Sequence, residues 1–303
     1  MIRDKKFNVV CFGEVLWDNL PSGRKPGGAV MNVAYHLNKL GLNAELISSV
    51  GNDRDGKELL KVLTELKLSI EYCQVDQEHK TSSVEVEVTN DHEMKYDIVY
   101  PVAWDYIRFE DRFTGLVKNA DALVFGSLSG RNEGSRKTLY QILEMAAYKV
   151  MDVNLRAPHY DSAYVSALLE KTDLLKLNQE ELGILTDWYS KSCKNESDRV
   201  SLLQDKFDIA EVLVTKGSKG ATYHGIQTEY HWAAYDIIVN DTVGSGDSFL
   251  AAFLSKRLNK DYIQDTLDFA VALSAFITTQ TGACPPYQRA TINRFMIDQQ
   301  HKR

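Results

Sequence analysis

The chain has 303 residues, of which 44% are hydrophobic and 25% are charged, as expected for a globular protein with a sizeable core. Its formal net charge of -7 argues against a nucleic-acid partner, because binding to phosphate backbones needs clustered basic surface. Acidic Glu14 and Asp18 interrupt the apolar run near the N-terminus, and no apolar stretch reaches the roughly 18 residues of a membrane helix. We therefore expect a cytoplasmic protein that binds neither nucleic acid nor membranes.

Apolar segments alternate with helical patterns along most of the chain. Residues 8–12 form a short apolar run that ends at Gly13, and residues 29–40 place Val30, Val33 and Leu37 on one helical face. This alternation predicts an α/β fold with a mostly parallel sheet covered by helices on both faces. Further strands are predicted at 45–50, 122–125, 150–154, 173–178 and 212–214, and further helices at 55–66 and 135–147.

Residues 81–100 break this alternation. Val84, Val86 and Val88 alternate with glutamates, and Asn90-Asp91 supplies a turn before a second strand. This pattern predicts a hairpin with one apolar face. Because an isolated two-stranded hairpin is marginally stable in water, we expect it to pack on the substrate cleft, on a partner subunit, or on both.

Residues 237–258 contain the most informative pattern, in which an apolar strand, a glycine-rich turn and an amphipathic helix follow one another. The turn Gly244-Ser245-Gly246 leaves backbone N–H groups unpaired at the start of the helix, and the helix dipole adds to the anion site that they form. Asp247 follows directly. A carboxylate weakens anion binding, so its presence here favours a role with a hydroxyl nucleophile in phosphoryl transfer. The alternative is a structural turn whose carboxylate only complements the helix dipole.

Several motifs, in their expected order, resemble those of the ribokinase-like (pfkB) carbohydrate kinases. DTVGSGD at 241–247 is similar to the family signature DTxGAGD, and GGAVMNVAYHLNKLG at 27–41 is similar to the family segment GGAPANVA. Ordered motifs with matching local structure are far more specific than a lone glycine loop. The other matching segments are FGEVLWD at 12–18, DVNLR at 152–156, LNQEEL at 177–182 and VTKGSKG at 214–220.

The resemblance implies a ribokinase-like three-layer α/β/α fold over residues 1–303, with a small β lid formed by 81–100 and part of 14–26. It implies ATP-dependent phosphorylation of a small monosaccharide, with Asp247 as the base. The segment VAWD at 102–105 resembles the fructokinase branch and favours D-fructose. Ribokinase, 2-keto-3-deoxygluconate kinase and nucleoside kinase are the related alternatives, and a non-catalytic sugar-binding regulator is the alternative from another class.

The resemblance also places a sugar site in the cleft, where a polyol needs converging donors and acceptors. For Asn32 the alternative is a polar residue that satisfies backbone groups near a helix N-terminus, and for Arg156 an exposed loop charge. The expected sugar contacts are Asp18, Gly28, Asn32, Arg156 and Trp104.

Nucleotide and magnesium are assigned to two further segments by the same resemblance. Lys216, Gly217 and Gly220 lie where the family binds nucleotide, although a two-glycine hairpin turn explains the same pattern. Asn178 and Glu181 match an element that positions magnesium and phosphate through water. Their alternative is an ordinary pair of helix-start residues.

The last two expectations are a monovalent cation, which the resemblance implies, and a homodimer, which follows from the apolar face of Val84, Val86 and Val88 and agrees with the resemblance. A monovalent cation such as potassium is assigned to Asp241 and Thr242 together with the segment that begins at Gly282. A homodimer is expected, in which the hairpin at 81–100 packs against its copy and covers each active site.

Overall fold

The computed structural model describes residues 6–20, 23–88 and 94–300, and within these ranges the strands form two sheets. The strands in chain order are β1 (Asn8–Phe12), β2 (Leu16–Leu20), β3 (Gly23–Gly27), β4 (Asn43–Gly51), β5 (Cys73–Asp76), β6 (Ser82–Val88), β7 (Met94–Ile98), β8 (Ala122–Gly126), β9 (Lys149–Asp152), β10 (Leu174–Asn178), β11 (Glu211–Thr215), β12 (Ala221–His224) and β13 (Glu229–Trp232).

Helices follow most of the strands of the larger sheet. None of the helices in the described ranges has an apolar stretch long enough to cross a membrane. The helices are α1 (Ala29–Lys39), α2 (Arg54–Glu65), α3 (Asp111–Lys118), α4 (Glu133–Leu143), α5 (Ser162–Leu169), α6 (Gln179–Asp187), α7 (Glu196–Phe207), α8 (Ser245–Leu258), α9 (Ile263–Thr278) and α10 (Arg289–Gln300).

The larger sheet has the strand order β13-β12-β11-β10-β9-β8-β1-β4-β5 in the described part of the chain. Its neighbours pair in parallel from β5 to β11, and only β12 and β13 at one edge are antiparallel. Parallel strands need crossover connections, which the helices supply. The predicted mostly parallel sheet is confirmed.

Two hydrophobic cores lie on opposite faces of this sheet, because successive strand residues point in opposite directions. Val9 and Cys11 of β1 belong to the core formed with α1, α2, α8 and α9, whereas Val10 and Phe12 belong to the core formed with α3 to α7. The predicted three layers are therefore confirmed, with both sheet faces covered by helices.

The smaller sheet has the order β3-β2-β6-β7 and joins residues 16–27 to residues 82–98. Strand β2 pairs in parallel with β6, so that Asp18 lies opposite Val84, which is buried. The predicted turn at Asn90-Asp91 lies outside the described residues, as do the side chains of Val86 and Val88. The dimer through this hairpin therefore stays a prediction.

The sequence prediction was wrong in two segments of the chain. Residues 237–240 are irregular and not a strand, and Ile238 is 90% exposed there. The apolar pattern reflects a surface cavity at this point and not burial in the sheet. Helix α4 ends at Leu143 and not near residue 147. The residues between its end and the start of β9 at Lys149 are not helical.

Candidate active site

The turn Gly244-Ser245-Gly246, called here the anion turn, begins α8. Gly244 has φ 74°, in the left-handed region, and a Cβ there would lie 2.5 Å from the Cβ of Ala283. Glycine is therefore required at this position by both backbone conformation and close packing. The first N–H groups of a helix have no intrahelical acceptor, so the turn presents donors and the positive end of the helix dipole to an anion.

The carboxyl of Asp247 lies beside the anion turn and is held by α1. The side-chain amide of Asn32 donates to Asp247 Oδ2 at 2.8 Å, and the Cys284 thiol donates to Asn32 Oδ1 at 3.3 Å. Burial raises the pKa of Asp247 to about 6, and the charge of Asp152 adds to this effect. Asn32 therefore orients the carboxyl of the predicted base. This contact differs from the alternative, in which the Asn32 side chain satisfies backbone groups near the helix N-terminus.

Helix α1 also holds the segment that packs over Gly244. Tyr35 donates its hydroxyl to the Pro285 carbonyl at 2.8 Å, and His36 Nε2 lies 2.9 Å from the Ala283 carbonyl oxygen. His36 is fully buried, and burial lowers its pKa to about 4. The sequence analysis did not predict these contacts of Tyr35 and His36. Two adjacent polar side chains on a helix inside the GGAVMNVAYHLNKLG motif were a signal that they bond to another segment.

Glu14 caps the start of α1 from the loop after β1. Its Oε1 accepts the Ala29 N–H at 3.0 Å, and a Cβ at Gly28, where φ is 115°, would lie 2.3 Å from the Glu14 carbonyl oxygen. Gly28 thus allows close approach of two backbones. Burial raises the pKa of Glu14 from 4.5 to about 7. Glu14 belongs to a matched motif, but its role as a helix cap was not predicted.

Arg156 lies near enough to Asp18 and to Asp247 for its charge to act on both carboxyls. Burial raises the pKa of Asp18 to about 6, and the charge of Arg156 acts in the opposite direction on Asp18, on Glu14 and on Asp247. Arg156 itself is exposed and donates to the Leu155 carbonyl at 3.1 Å. Arg156 therefore acts on three carboxylates, and the Lys176 ammonium acts on Asp247 as well.

Trp104 does not have the predicted place in the sugar site. Its side chain is fully buried, and the Arg131 guanidinium lies 4.1 Å from the ring centroid. Arg131 in turn pairs with Asp105, at 2.7 Å, and donates to the Val99 carbonyl at 2.7 Å. The indole therefore supports the base of the smaller sheet, and it has no surface to offer a sugar.

Asn178 and Glu181 form the N-terminal capping box of α6. The Asn178 side chain accepts the Glu181 N–H at 2.9 Å, and Glu181 Oε2 accepts the Asn178 N–H at 2.8 Å. Glu181 Oε1 accepts a third N–H, from Leu155, at 3.0 Å. The capping alternative is present, and the same carboxylate ties α6 to the segment that carries Arg156.

The residues 216–220 form the turn between β11 and β12. Lys216 donates its N–H to the Gly220 carbonyl at 2.8 Å, and Gly217 and Gly220 both have positive φ, so the hairpin alternative is present. The Lys216 ammonium pairs with Glu196 at 2.6 Å. Gly220 packs closely against the backbone of Trp232.

A surface cavity of about 700 Å³ lies near this turn, because Ala234, which lines the cavity, packs against Gly220. Sequence reasoning assigned the apolar residues that precede the signature to a strand and missed the cavity. Its lining includes Tyr235, Ile237, Ile238, Asn240, Thr279 and Phe295.

The two segments assigned to a monovalent cation meet in the structure. Asp241 Oδ2 accepts the Gly282 N–H at 2.9 Å, and Asp241 Oδ1 accepts the Val243 N–H at 3.0 Å. Thr242 accepts the Ser245 N–H at 3.2 Å through its carbonyl. Asp241 and Gly282 are separated by forty residues in the sequence, but their contact joins two loops into one pair.

The sequence of residues 9–290 matches the pfkB family carbohydrate kinases. The chain therefore belongs to this family and is an ATP-dependent carbohydrate kinase. It is 29% identical to the probable fructokinase-5 of Arabidopsis thaliana, over 91% of this chain and 93% of that protein. It is 28% identical to fructokinase-2 of Zea mays, over 91% of this chain and 90% of that protein.

Solved structures share the fold over nearly the whole chain. The fructokinase of Vibrio cholerae O395, solved with fructose, ADP and calcium ion bound, superposes with a TM-score of 0.82 at 24% identity, over 97% of this chain and 100% of that chain. The fructokinase of Xylella fastidiosa with bound ATP has a TM-score of 0.86 at 20% identity, over 98% of this chain and 100% of that chain. The predicted ribokinase-like fold is confirmed.

The raised pKa of Glu14 makes stability depend on pH. The folded protein holds this proton more tightly than the unfolded chain does, so the stabilising contribution is complete below pH 4.5 and lost as the pH rises through about 7. Glu14→Gln keeps an acceptor for the Ala29 N–H. Between about pH 4 and about pH 8, its free energy of unfolding should rise relative to wild type by about 3 kcal/mol.

Urea unfolding at both pH values measures this change. The exposed carboxylate Glu180 supplies the matched control, and Glu180→Gln should show no comparable gain. A stability difference between Glu14→Gln and wild type that stays constant with pH would contradict the assignment.

Proposed function

We propose that this kinase transfers the γ-phosphoryl group of ATP to a hydroxyl of D-fructose. The observation that carries the proposal is the half-buried Asp247 carboxyl, oriented by Asn32 at 2.8 Å beside the anion turn. Asp18 and Arg156 face the same space and supply polar groups for a polyol. The curated relatives at 28–29% identity are fructokinases or probable fructokinases, which favours fructose among the sugars.

In this reaction Asp247 accepts the proton of the sugar hydroxyl while the hydroxyl oxygen bonds to the γ-phosphorus. The bond from that phosphorus to the bridging oxygen breaks, and ADP leaves with the electron pair. The transition state is loose and the proton leaves late, so a carboxylate with a pKa of about 6 is basic enough when correctly placed. The N–H groups of the anion turn other than that of Ser245, which donates to the Thr242 carbonyl, stabilise the charge on the transferred group.

The charges of the cleft favour a neutral sugar over an acidic one. The charge of Arg156 acts on Asp18, Glu14 and Asp247, and the second nearby cation, Lys176, is already paired with Asp152. A carboxylated substrate such as 2-keto-3-deoxygluconate would add a further negative charge to this group of carboxylates, which costs binding energy in a partly buried site. Ribose is neutral as well, so charge alone does not separate it from fructose.

The nucleotide is assigned to the cavity beside residues 234–240, which lies near the turn at 216–220. The cavity offers Ile237 and Phe295 as apolar surface for a base, and Asn240 as a polar group. Gly220 lies against the backbone that leads into the cavity. Lys216 is held by Glu196 at 2.6 Å, so a nucleotide phosphate would compete with that carboxylate for it.

Magnesium fits Glu181 through water better than through direct contact. Both Glu181 oxygens already accept backbone N–H groups, and each keeps one further lone pair. Magnesium keeps several of its waters and is bound mainly through the substrate phosphates in such sites. Bound magnesium would neutralise charge on the phosphates of ATP, and Asn178 and Glu181 would orient its water ligands.

The proposal is tested by incubating the purified protein with ATP, magnesium and a panel of sugars, and measuring ADP release. Fructose should give the highest kcat/KM, with acidic sugars the lowest. A preference for ribose, for a nucleoside or for 2-keto-3-deoxygluconate would overturn the assignment of fructose. Binding of fructose without ADP release would instead identify a sugar-binding regulator.

Replacement of the base isolates its role in turnover. Asp247→Asn should lower kcat by about a hundredfold or more while the Kd values of ATP and sugar change little, because the amide cannot accept the proton. In the wild-type enzyme kcat/KM should fall as the pH drops below about 6, where Asp247 becomes protonated.

Turnover is followed by ADP release and binding by calorimetry. Asp265 lies in the first turn of α9 and is exposed, so Asp265→Asn is a matched change away from the site and should leave kcat unaltered. Near wild-type turnover by Asp247→Asn would show that another group is the base.

Potassium should stimulate the reaction through the loop pair that contains Asp241 and Gly282. The Gly282 N–H donates to Asp241 Oδ2 at 2.9 Å and holds the two loops together, and hard oxygen ligands such as the Asp241 carboxylate suit an alkali cation. We expect a higher kcat in potassium than in tetramethylammonium buffer, and no such gain in Asp241→Asn. Equal wild-type rates in the two buffers would remove the cation from the mechanism.

A further inference from the structure

A buried ion pair lies directly beneath the anion turn, and the reaction described above does not use it. Lys176 on β10 and Asp152 on β9 are cross-strand partners in the parallel sheet. The Lys176 ammonium donates to Asp152 Oδ1 at 2.9 Å and to Oδ2 at 2.8 Å. Lys176 is 7% exposed and Asp152 4% exposed.

The ammonium of Lys176 also touches the anion turn. A Cβ added to Gly246 would lie 2.9 Å from Lys176 Nζ and 3.7 Å from Cε, so any larger residue would push the ammonium away. Gly246 does not have positive φ, so its backbone conformation does not require glycine. The Lys176 ammonium, which Asp152 holds, is therefore the group that a larger residue at this position would displace.

Lys176 is surrounded by the carboxylates of the site. Burial lowers its pKa, but the charges of Asp152, Glu181 and Asp247 outweigh burial and raise it. In return, the charge of Lys176 opposes the burial and the Asp152 charge that raise the pKa of Asp247. The groups that act on Asp247 from the elements around it are Asp152, Lys176, Asn32, Arg156, Glu14 and Cys284.

A gain in folding stability is a weak explanation for the buried Lys176–Asp152 pair. Two charges removed from water lose hydration that their attraction often fails to recover, and apolar residues of similar size are frequently as stable. Leu174, which lies two positions before Lys176 on the same face of β10, is fully buried and apolar. A lysine at this point of the sheet therefore adds a charge that packing does not need.

We propose that Lys176 is a positioning residue for phosphoryl transfer, held by Asp152 against Gly246 so that its charge supports the anion turn and keeps Asp247 ionised. The proposal rests on the kinase reaction proposed above. In this proposal Asp152 holds the Lys176 ammonium in place. Its negative charge also lies near Asp247 and raises the pKa of that carboxyl.

The two members of the pair should act on the pH profile in opposite directions. Lys176→Met leaves Asp152 as an uncompensated buried carboxylate beside Asp247, so the acidic limb of kcat/KM should move up by roughly one pH unit. Asp152→Asn removes a negative charge and should move that limb down. A pair that served only stability would weaken folding in both variants without these opposite shifts.

The double variant Lys176→Met/Asp152→Asn guards against loss of folding, because it leaves no unpaired buried charge. It should fold, as circular dichroism can verify, but its kcat at alkaline pH should remain about tenfold below wild type, because the anion turn has lost its cation. The control is Arg257→Met, which breaks the Arg257–Glu211 pair at 2.8 Å. Arg257 lies in the last turn of α8, far from the anion turn at its start, so the pH profile should stay unchanged.

A measurement without turnover separates this inference from the kinase proposal. In the free protein, the carboxyl ¹³C shift of Asp247, assigned with Asp247→Asn, should titrate at lower pH in Asp152→Asn and at higher pH in Lys176→Met. If the wild-type protein has no kinase activity but the two variants still show these shifts, the proposed reaction is overturned and the role of Lys176 is not. Wild-type titration of Asp247 in both variants, or wild-type kcat in the double variant, would overturn the role of Lys176.

Discussion

The proposed reaction depends on one electrostatic constraint, which is that a carboxylate and a phosphate must occupy neighbouring positions in a partly buried site. Asp247 and the anion turn belong to the same helix start, so they cannot be separated. Their repulsion is offset by the positive end of α8, by the amide of Asn32 and by the charge of Lys176. Each of these groups comes from a different element, so the constraint also explains why those elements converge.

The parallel sheet makes this convergence possible, because the carboxyl ends of parallel strands meet at one edge. Glu14 follows β1, Arg156 follows β9, Asn178 ends β10 and Lys216 follows β11. Residues far apart in sequence thus line a single cleft. The smaller sheet then places Asp18 opposite that edge, and Arg131 anchors its base through Trp104 and the Val99 carbonyl.

Local patterns predicted those parts of the fold in which neighbouring residues decide the structure. The periodicity of 29–40 and the glycines at 244 and 246 indicated α1 and the start of α8, and both are present. The same reasoning failed at 237–240, where apolar side chains line an open cavity, and at Trp104, where an aromatic beside the lid is buried under a guanidinium. Hydrophobicity shows that a side chain avoids water, but it does not show which surface covers it.

The sequence by itself determined the α/β class, the anion turn and the identity of the carboxylate beside it, because these follow from backbone rules acting over a few residues. Only the tertiary structure decided that Asn32, 215 positions from Asp247 in the chain, orients that carboxylate. It also decided that Lys176 lies under Gly246 and that Glu14 caps α1. Such contacts depend on distances set by the packing of whole elements, which no local pattern encodes.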